Sequence, residues 1–239
     1  MKKITRRIPN AITCLNLFLG CVACVMAFQG NYFYAAIFIY IASILDFLDG
    51  LAARLLHAYS EIGKELDSLA DAISFGLAPG IILFSWLQKL MPDHPFIAYI
   101  AFVIPVFSAL RLAKFNVDNR QTTSFIGLPT PANAIFIASL FALCHEPCHE
   151  PLFSNILSHS WIIILMIFTL SFLLICKLPM FSLKFNTLKW KENRVRYIFL
   201  ALSLVLLVIF QLVAIPLIII LFILLSLVLL LKKKLIKTI

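Results

Sequence analysis

Apolar residues run through this chain in stretches long enough to cross a bilayer, separated by short polar and basic breaks. The pattern predicts eight helices, from Ala11 to Phe28, Tyr32 to Leu56, Gly63 to Leu87, Phe96 to Phe115, Ala132 to Leu143, Asn155 to Cys176, Tyr197 to Gln211 and Ala214 to Leu231. About 20 apolar residues at 1.5 Å each cover a hydrocarbon core roughly 30 Å thick. The fifth stretch is short. The last two form one run of 35 residues, about 50 Å as a single helix, so a break is required and Pro216 marks the expected turn.

Composition gives the same picture. With 62% hydrophobic and 13% charged residues among 239, and a mean hydropathy of +1.02, the chain lies outside the range of soluble globular domains. It reads as an all-α, polytopic integral membrane protein. No large-period repeat or Gly/Ser linker divides it. With both termini on the cytoplasmic side, 19 of the 20 Lys and Arg residues fall on that side and Lys89 alone falls opposite, as the distribution of basic loops requires. The net charge of +9 therefore reads as topology and attraction to anionic headgroups, and nucleic acid is not expected as a partner.

Two stretches invite other readings. "MKKITRRIPNAITCLNLFLGCVACVMA" has the basic start and apolar centre of a signal peptide. Its apolar part is longer than usual, and Asn10, Thr13 and Asn16 fall three apart along one side, so a retained first helix is expected. "CHEPCHEP" (Cys144 to Pro151) offers two Cys and two His on a Pro-interrupted loop, read as a local duplication without a metal. No redox role is expected for the six cysteines.

The chemistry is concentrated in "ILDFLDGLAARLLHAYSEIGKELDSLADAISFGLAPG", Ile44 to Gly80. Residues three or four apart share a helix face, so Asp46 pairs with Asp49 and Asp67 with Asp71. Ser60 followed by Glu61 predicts the N-cap of the second helix. A turn near Ala58 then makes an antiparallel hairpin that brings all four carboxylates to matching depth, about 13 to 19 Å from the turn. Gly50, Ala53 and Gly63 are small enough for close approach of backbones and ligand. Each isolated intramembrane Asp costs about 2.5–3.5 kcal/mol, and Arg54 alone cannot balance four. Clustered oxygen donors suit Mg²⁺, Mn²⁺ or Ca²⁺. A structural polar cluster or a divalent-cation transporter would use the same residues, whereas phosphoryl chemistry at the inner leaflet uses paired cations to hold a diphosphate, with Arg54 placed to grip phosphate.

Read as D-x2-D-G-x2-A-R-x8-G-x3-D-x3-D, the residues Asp46, Asp49, Gly50, Ala53, Arg54, Gly63, Asp67 and Asp71 resemble the signature of the CDP-alcohol phosphatidyltransferase family. The resemblance implies a helical membrane enzyme, commonly a homodimer, that transfers a phosphatidyl group from CDP-diacylglycerol to an alcohol and releases CMP. It implies that Asp46, Asp49, Asp67 and Asp71 bind two divalent cations and that Asp71 is also the general base. Gly50, Ala53, Arg54 and Gly63 would then surround the nucleotide; Asn10 and Thr13 either touch the nucleotide or cap the first helix. "IPNAITCLNLFLG", "LRLAKFNV" (Leu110 to Val117) and "FIGLPTPANA" (Phe125 to Ala134) are similar to segments of the phosphatidylserine synthase branch, which implies L-serine as acceptor.

Arg111, Lys114 and Asn116 close the fourth span, where they could hold the acceptor's carboxylate. Ordinary inner-face anchoring would also account for Arg111 and Lys114. Glycerol 3-phosphate or an inositol phosphate is the alternative acceptor. The catalytic site is expected in the second and third helices at the cytoplasmic face, in the inner membrane if the cell is bacterial. Residues 1–176 are expected to form the six-helix core, and 177–239 a basic loop with a two-helix extension.

Overall fold

The computed structural model describes residues 7–117, 125–144, 150–180 and 190–238. The first six residues, 145–149 of the CHEPCHEP stretch and 181–189 of the basic loop lie outside the described residues. The chain is helical almost throughout. Helices α1 (Arg7–Phe28) and α2 (Tyr32–Leu55) are joined by a tight turn through Gly30. A third helix, α3 (Glu61–Leu90), is followed by α4 (Pro95–Val117), which opens with a 3₁₀ segment. Beyond it lie α5 (Thr130–Ala142), a short α6 (Pro151–Leu157), α7 (Ser160–Ile175), α8 (Trp190–Phe210) and α9 (Ala214–Thr238).

Among the described residues, five stretches are long and apolar enough to cross a membrane, or six if α6 and α7 count as one. Those two meet at 85°, so the span expected from Asn155 to Cys176 is corrected: its first turn belongs to a separate helix, and the break falls at Ser158–His159. Ser158, Asn155 and His159 hydrogen-bond one another there and satisfy backbone groups freed by the bend. The C-terminal apolar run is folded back on itself. Its break is a 3₁₀ turn at Gln211–Val213, with Gln211 at φ 48°, and the Phe199 and Phe222 rings are 6.1 Å apart. Pro216 is not the turn; it sits in the first turn of α9, where its missing N–H leaves no intrahelical bond unmade.

Between lipid-facing and buried positions the side chains sort by size. Phe18, Phe47, Leu69, Phe96, Phe172 and Val208 are exposed on the outside of the bundle, as suits contact with acyl chains. The helix seams are lined by small residues, among them Ala23, Ala27, Ala35, Ala42, Ala78 and Ala138, because tight backbone approach replaces the hydrophobic effect as the source of association in lipid. Far from the carboxylates, Trp86 packs edge to face against Tyr32 and Phe141 with centroids 5.2 and 5.1 Å apart, and the Tyr32 and Phe141 rings lie tilted at 6.3 Å. Lys89 lies 4.8 Å above the Tyr32 ring, and Trp86 donates its indole N–H to the Leu157 carbonyl at 2.9 Å. This cluster locks the ends of α2, α3, α5 and α6 together.

One loop matters for the site. Residues 125–126 (β1) pair antiparallel with 179–180 (β2). Gly127 then donates its N–H to the Leu178 carbonyl and Leu128 to the Leu173 carbonyl, so the end of α7 carries the lead into α5. Gly127 sits at φ 78°, and a Cβ there would stand 2.5 Å from the Leu174 carbonyl oxygen. Gly127→Ala is therefore expected to cost about 1–2 kcal/mol in backbone conformation alone and more through the clash. A thermal melt in detergent should show the loss, and an unchanged midpoint would contradict it.

Candidate active site

The hairpin between α2 and α3 forms as its sequence requires. Its turn runs through His57 at φ 48°, and Ser60 caps α3 by accepting the Gly63 N–H at 3.0 Å. Four residues into α1, Asn10 reaches the same corner: a Cβ on Gly63 would lie 2.9 Å from Asn10 Oδ1 and from Ser60 Oγ. Gly63 is thus the contact that lets α1 close over the hairpin. One turn deeper, Thr13 is buried and its hydroxyl stands 2.7 Å from Asp49 Oδ2 and 3.0 Å from the Pro9 carbonyl. As Thr13 has one proton to donate, the charged acceptor is favoured and fixes the Asp49 carboxylate.

Asp46, Asp49 and Asp67 each present a carboxylate oxygen within 4.8 Å of the others. Asp71 is buried but stands outside that trio, on the side of the cluster facing α4. The donor set is all oxygen, and Asp67 Oδ1 and Asp71 Oδ1 are buried without a hydrogen-bond partner among the described residues. A hard divalent cation fits such a set, since buried carboxylate oxygens need a partner and no His or Cys among the described residues joins the cluster.

Two cavities meet at this cluster. One, of about 340 Å³, is bounded by α1 and the hairpin turn, and Asn10, Thr13, Asp49, Gly50, Ala53, Arg54 and Gly63 all line it. The missing side chain of Gly50 faces open space: among the described residues, nothing beyond its chain neighbours and its own helix backbone lies within 4 Å of where a Cβ would be, so a ligand can lie directly on the backbone. Arg54 is exposed at the rim and donates its Nε to the Gly50 carbonyl at 3.0 Å. The second cavity, about 250 Å³, lies between α3, α4 and the start of α5 and is lined by Asp46, Asp67, Asp71, Arg111, Asn116 and Thr130.

Arg111 is buried and donates to Thr130 Oγ1 at 3.4 Å, while its Nε has no partner among the described residues. A buried guanidinium with an open N–H is a ready receptor for a carboxylate or phosphate. Asn116 turns its amide N–H to Ser68 Oγ at 2.8 Å. Lys114 is exposed and lines neither cavity. Of the residues expected around the acceptor, the fold thus gathers Arg111 and Asn116 and leaves Lys114 outside.

Three features escape a reading of the sequence. The first is a π-helical turn, Ala72–Leu77, directly after Asp71. Its Ser74 donates to the Asn16 carbonyl at 3.1 Å, and its Gly76 faces Ser108 on α4, whose Cβ would be 3.2 Å from an added Cβ. Such wide turns recur at functional sites, but the local sequence carries no signal for the extra residue. The second is a set of buried polar side chains one helical turn from the site residues in sequence, Asn16, Ser74, Ser108 and Asn133, of which Ser74 bonds the Asn16 carbonyl. The equal spacing of Asn16 from Thr13 was a usable hint. The third is Lys64, which lines both cavities; its place next to Gly63 and three before Asp67 was visible, but not what it faces.

Comparison with known proteins gives a consistent picture. The family model described as CDP-alcohol phosphatidyltransferase matches residues 6–175. Curated relatives named CDP-diacylglycerol–serine O-phosphatidyltransferase include one from Bacillus subtilis, 39% identical over 52% of this chain and 69% of its own length. One from Mycobacterium leprae is 33% identical over 72% of this chain and 57% of its own length, and one from Helicobacter pylori is 37% identical over 54% of each. The matches thus span between about half and two thirds of the relatives' lengths. With the family model covering well over half of its length and the full set of signature residues gathered around one cluster, this chain belongs to the CDP-alcohol phosphatidyltransferase family.

Proposed function

We propose that this protein transfers the phosphatidyl group of CDP-diacylglycerol to L-serine, giving phosphatidylserine and CMP. The observation that carries the reading is the pair of cavities meeting at one acidic cluster, one floored by the bare Gly50 backbone and the other holding an open buried Arg111. The relatives' printed names support serine as the acceptor.

The nucleotide diphosphate lies in the first cavity, against Gly50, Ala53 and Gly63, with Asn10 beside it and Arg54 at the phosphates. Serine occupies the second, its carboxylate on Arg111 and its hydroxyl toward Asp71. Asp46, Asp49 and Asp67, with Asp71 alongside, hold two divalent cations, Mg²⁺ or Mn²⁺, with Ca²⁺ also suited to the donors. Bound there, the cations supply positive charge to the diphosphate. Thr13 keeps the Asp49 carboxylate turned toward the cluster. Asp71 takes the serine proton as the hydroxyl oxygen forms its bond to the phosphorus that carries diacylglycerol. The bond from that phosphorus to the bridging oxygen breaks, and its electron pair leaves with CMP.

The same reading places the site at the cytoplasmic face with both termini, since the hairpin turn shares its end of the bundle with most of the basic residues among those described and Lys89 sits at the other. It counts eight crossings, taking α5 and both arms of the C-terminal hairpin as one each. Residues 1–176 make the transferase core and 177–239 an extension, and a homodimer is the assembly the family resemblance implies. In a cation transporter the carboxylates would serve a conduction path, and the nucleotide-sized cavity would be idle.

The test is CMP release by the purified protein with CDP-diacylglycerol, Mg²⁺ or Mn²⁺ and one alcohol at a time. Serine should drive release, and release driven by glycerol 3-phosphate alone would overturn the acceptor. Arg111→Leu should raise the KM for serine about 10- to 100-fold, the loss of a charged hydrogen bond being worth about 1.5–3 kcal/mol, while the KM for CDP-diacylglycerol stays within threefold. An unchanged serine KM would remove Arg111 from the acceptor site.

A further inference from the structure

If the nucleotide fills one cavity and the acceptor the other, the phosphorus under attack must sit where the two meet. Among the described residues only Asp67 and Lys64 line both. Asp67 belongs to the carboxylate trio. Lys64 is therefore the one cationic side chain at the junction, since Arg54 lines only the nucleotide cavity and Arg111 only the acceptor cavity.

We propose that Lys64 is a catalytic residue whose ammonium meets the phosphoryl group as it passes from the nucleotide cavity to the acceptor cavity. This rests on the transfer reading above and adds to it a residue that the eight-position signature does not contain.

The local structure suits the role. The Lys64 ammonium donates to the Asn116 carbonyl at 3.2 Å, in the last turn of α4, where unpaired helix carbonyls attract a cation. That carbonyl is one neutral acceptor for a group with three N–H donors, so the ammonium has donors to spare for phosphate oxygens. The backbone of Lys64 is held independently: Ser68 Oγ donates to the Lys64 carbonyl at 3.2 Å, and Asn116 Nδ2 donates to that same Ser68 Oγ at 2.8 Å. The stem is thus anchored within α3 while the exposed side chain can turn from the Asn116 carbonyl to the phosphoryl oxygens. Charge on those oxygens is redistributed during transfer, and an ammonium placed there stabilises the transition state more than the bound substrate.

The test compares Lys64→Met, Lys64→Arg and Ser68→Ala with the unaltered protein, reading serine-dependent CMP release and, separately, calorimetric binding of CDP in the presence of Mg²⁺. Lys64→Met should lower kcat about 10²–10³-fold, the usual effect of losing one such donor, with both KM values and CDP binding within threefold. Lys64→Arg should recover most of the rate, because the charge is restored. Ser68→Ala, which loosens the α3–α4 link without touching the ammonium, borders the acceptor cavity and frees the Asn116 amide, so it should raise the KM for serine while kcat stays within threefold. Lys64→Met keeping kcat within threefold would overturn the proposal. So would Ser68→Ala falling as far as Lys64→Met, since Lys64 would then act only as part of a latch, and so would a Lys64→Met defect confined to CDP binding. If the unaltered protein released no CMP with any acceptor, the transfer reading would fail and this proposal with it. An active protein with an indifferent Lys64 would sink this proposal alone.

Discussion

Asp71→Asn is expected to reduce serine-dependent CMP release by at least 10²–10⁴-fold, the range for loss of a positioned general base, while CDP still binds in the presence of Mg²⁺. The split follows from where the structure puts the residue. Asp46, Asp49 and Asp67 converge without it, and the amide of the variant keeps one oxygen acceptor at the same place but cannot take a proton from the incoming hydroxyl. Calorimetry with CDP should therefore show binding within about tenfold of the unaltered protein, beside a rate near background. Turnover within tenfold of normal would remove Asp71 from the role of base. Loss of CDP binding together with turnover would make it a metal ligand first.

A second large effect is expected from a residue that touches no substrate. Gly20→Ala would place a Cβ 2.2 Å from Ser74 Oγ and 2.8 Å from its Cα. The hydroxyl can rotate away, but the Cα cannot, so α1 and the π turn after Asp71 must separate. Ser74 then loses its bond to the Asn16 carbonyl, and Asp71, three residues before Ser74, moves with the turn. Overpacking of this kind costs about 1–3 kcal/mol in stability. A displacement of about 1 Å at a catalytic group can cost about 10²-fold in rate. The expected result is a lower melting point together with a fall in kcat of that order. A variant with normal melting and normal kcat would show that the π turn tolerates the shift and does not hold Asp71 in place.

Much of the site was open to reading from the residues alone. The 3.6-residue repeat puts Asp46 with Asp49 and Asp67 with Asp71 on shared faces, and the Ser60 cap and the short connection set the depth at which the pairs meet. The break in the C-terminal run followed from a length no single crossing accommodates, although its position at Gln211 rather than Pro216 did not. Proline is tolerated in a first helical turn, so its presence there could not locate the break. The 85° bend before α7 was missed for a related reason: Ser158 and His159 interrupt the apolar pattern without breaking its length.

Lys114 and Lys64 show the same limit at the active site. Lys114 stands in a segment whose resemblance suggested acceptor contact, yet its helix phase turns it to the outside. Lys64, in an unremarkable position by composition, is placed at the junction because α4 ends against the first turns of α3.

Local periodicity, capping and the cost of burying charge in lipid act over a few residues, and so the sequence by itself determined the membrane class, the α2–α3 hairpin and the pairing of its carboxylates on shared helix faces. Which of those carboxylates join in one trio, which cavity each basic side chain lines, and where a helix takes in an extra residue depend on contacts between α1, α2, α3, α4 and α5. Those contacts join residues far apart along the chain through side-chain shape at close range, as at Gly20 against Ser74, and no repeat within a single helix encodes them, so only the tertiary structure decided them.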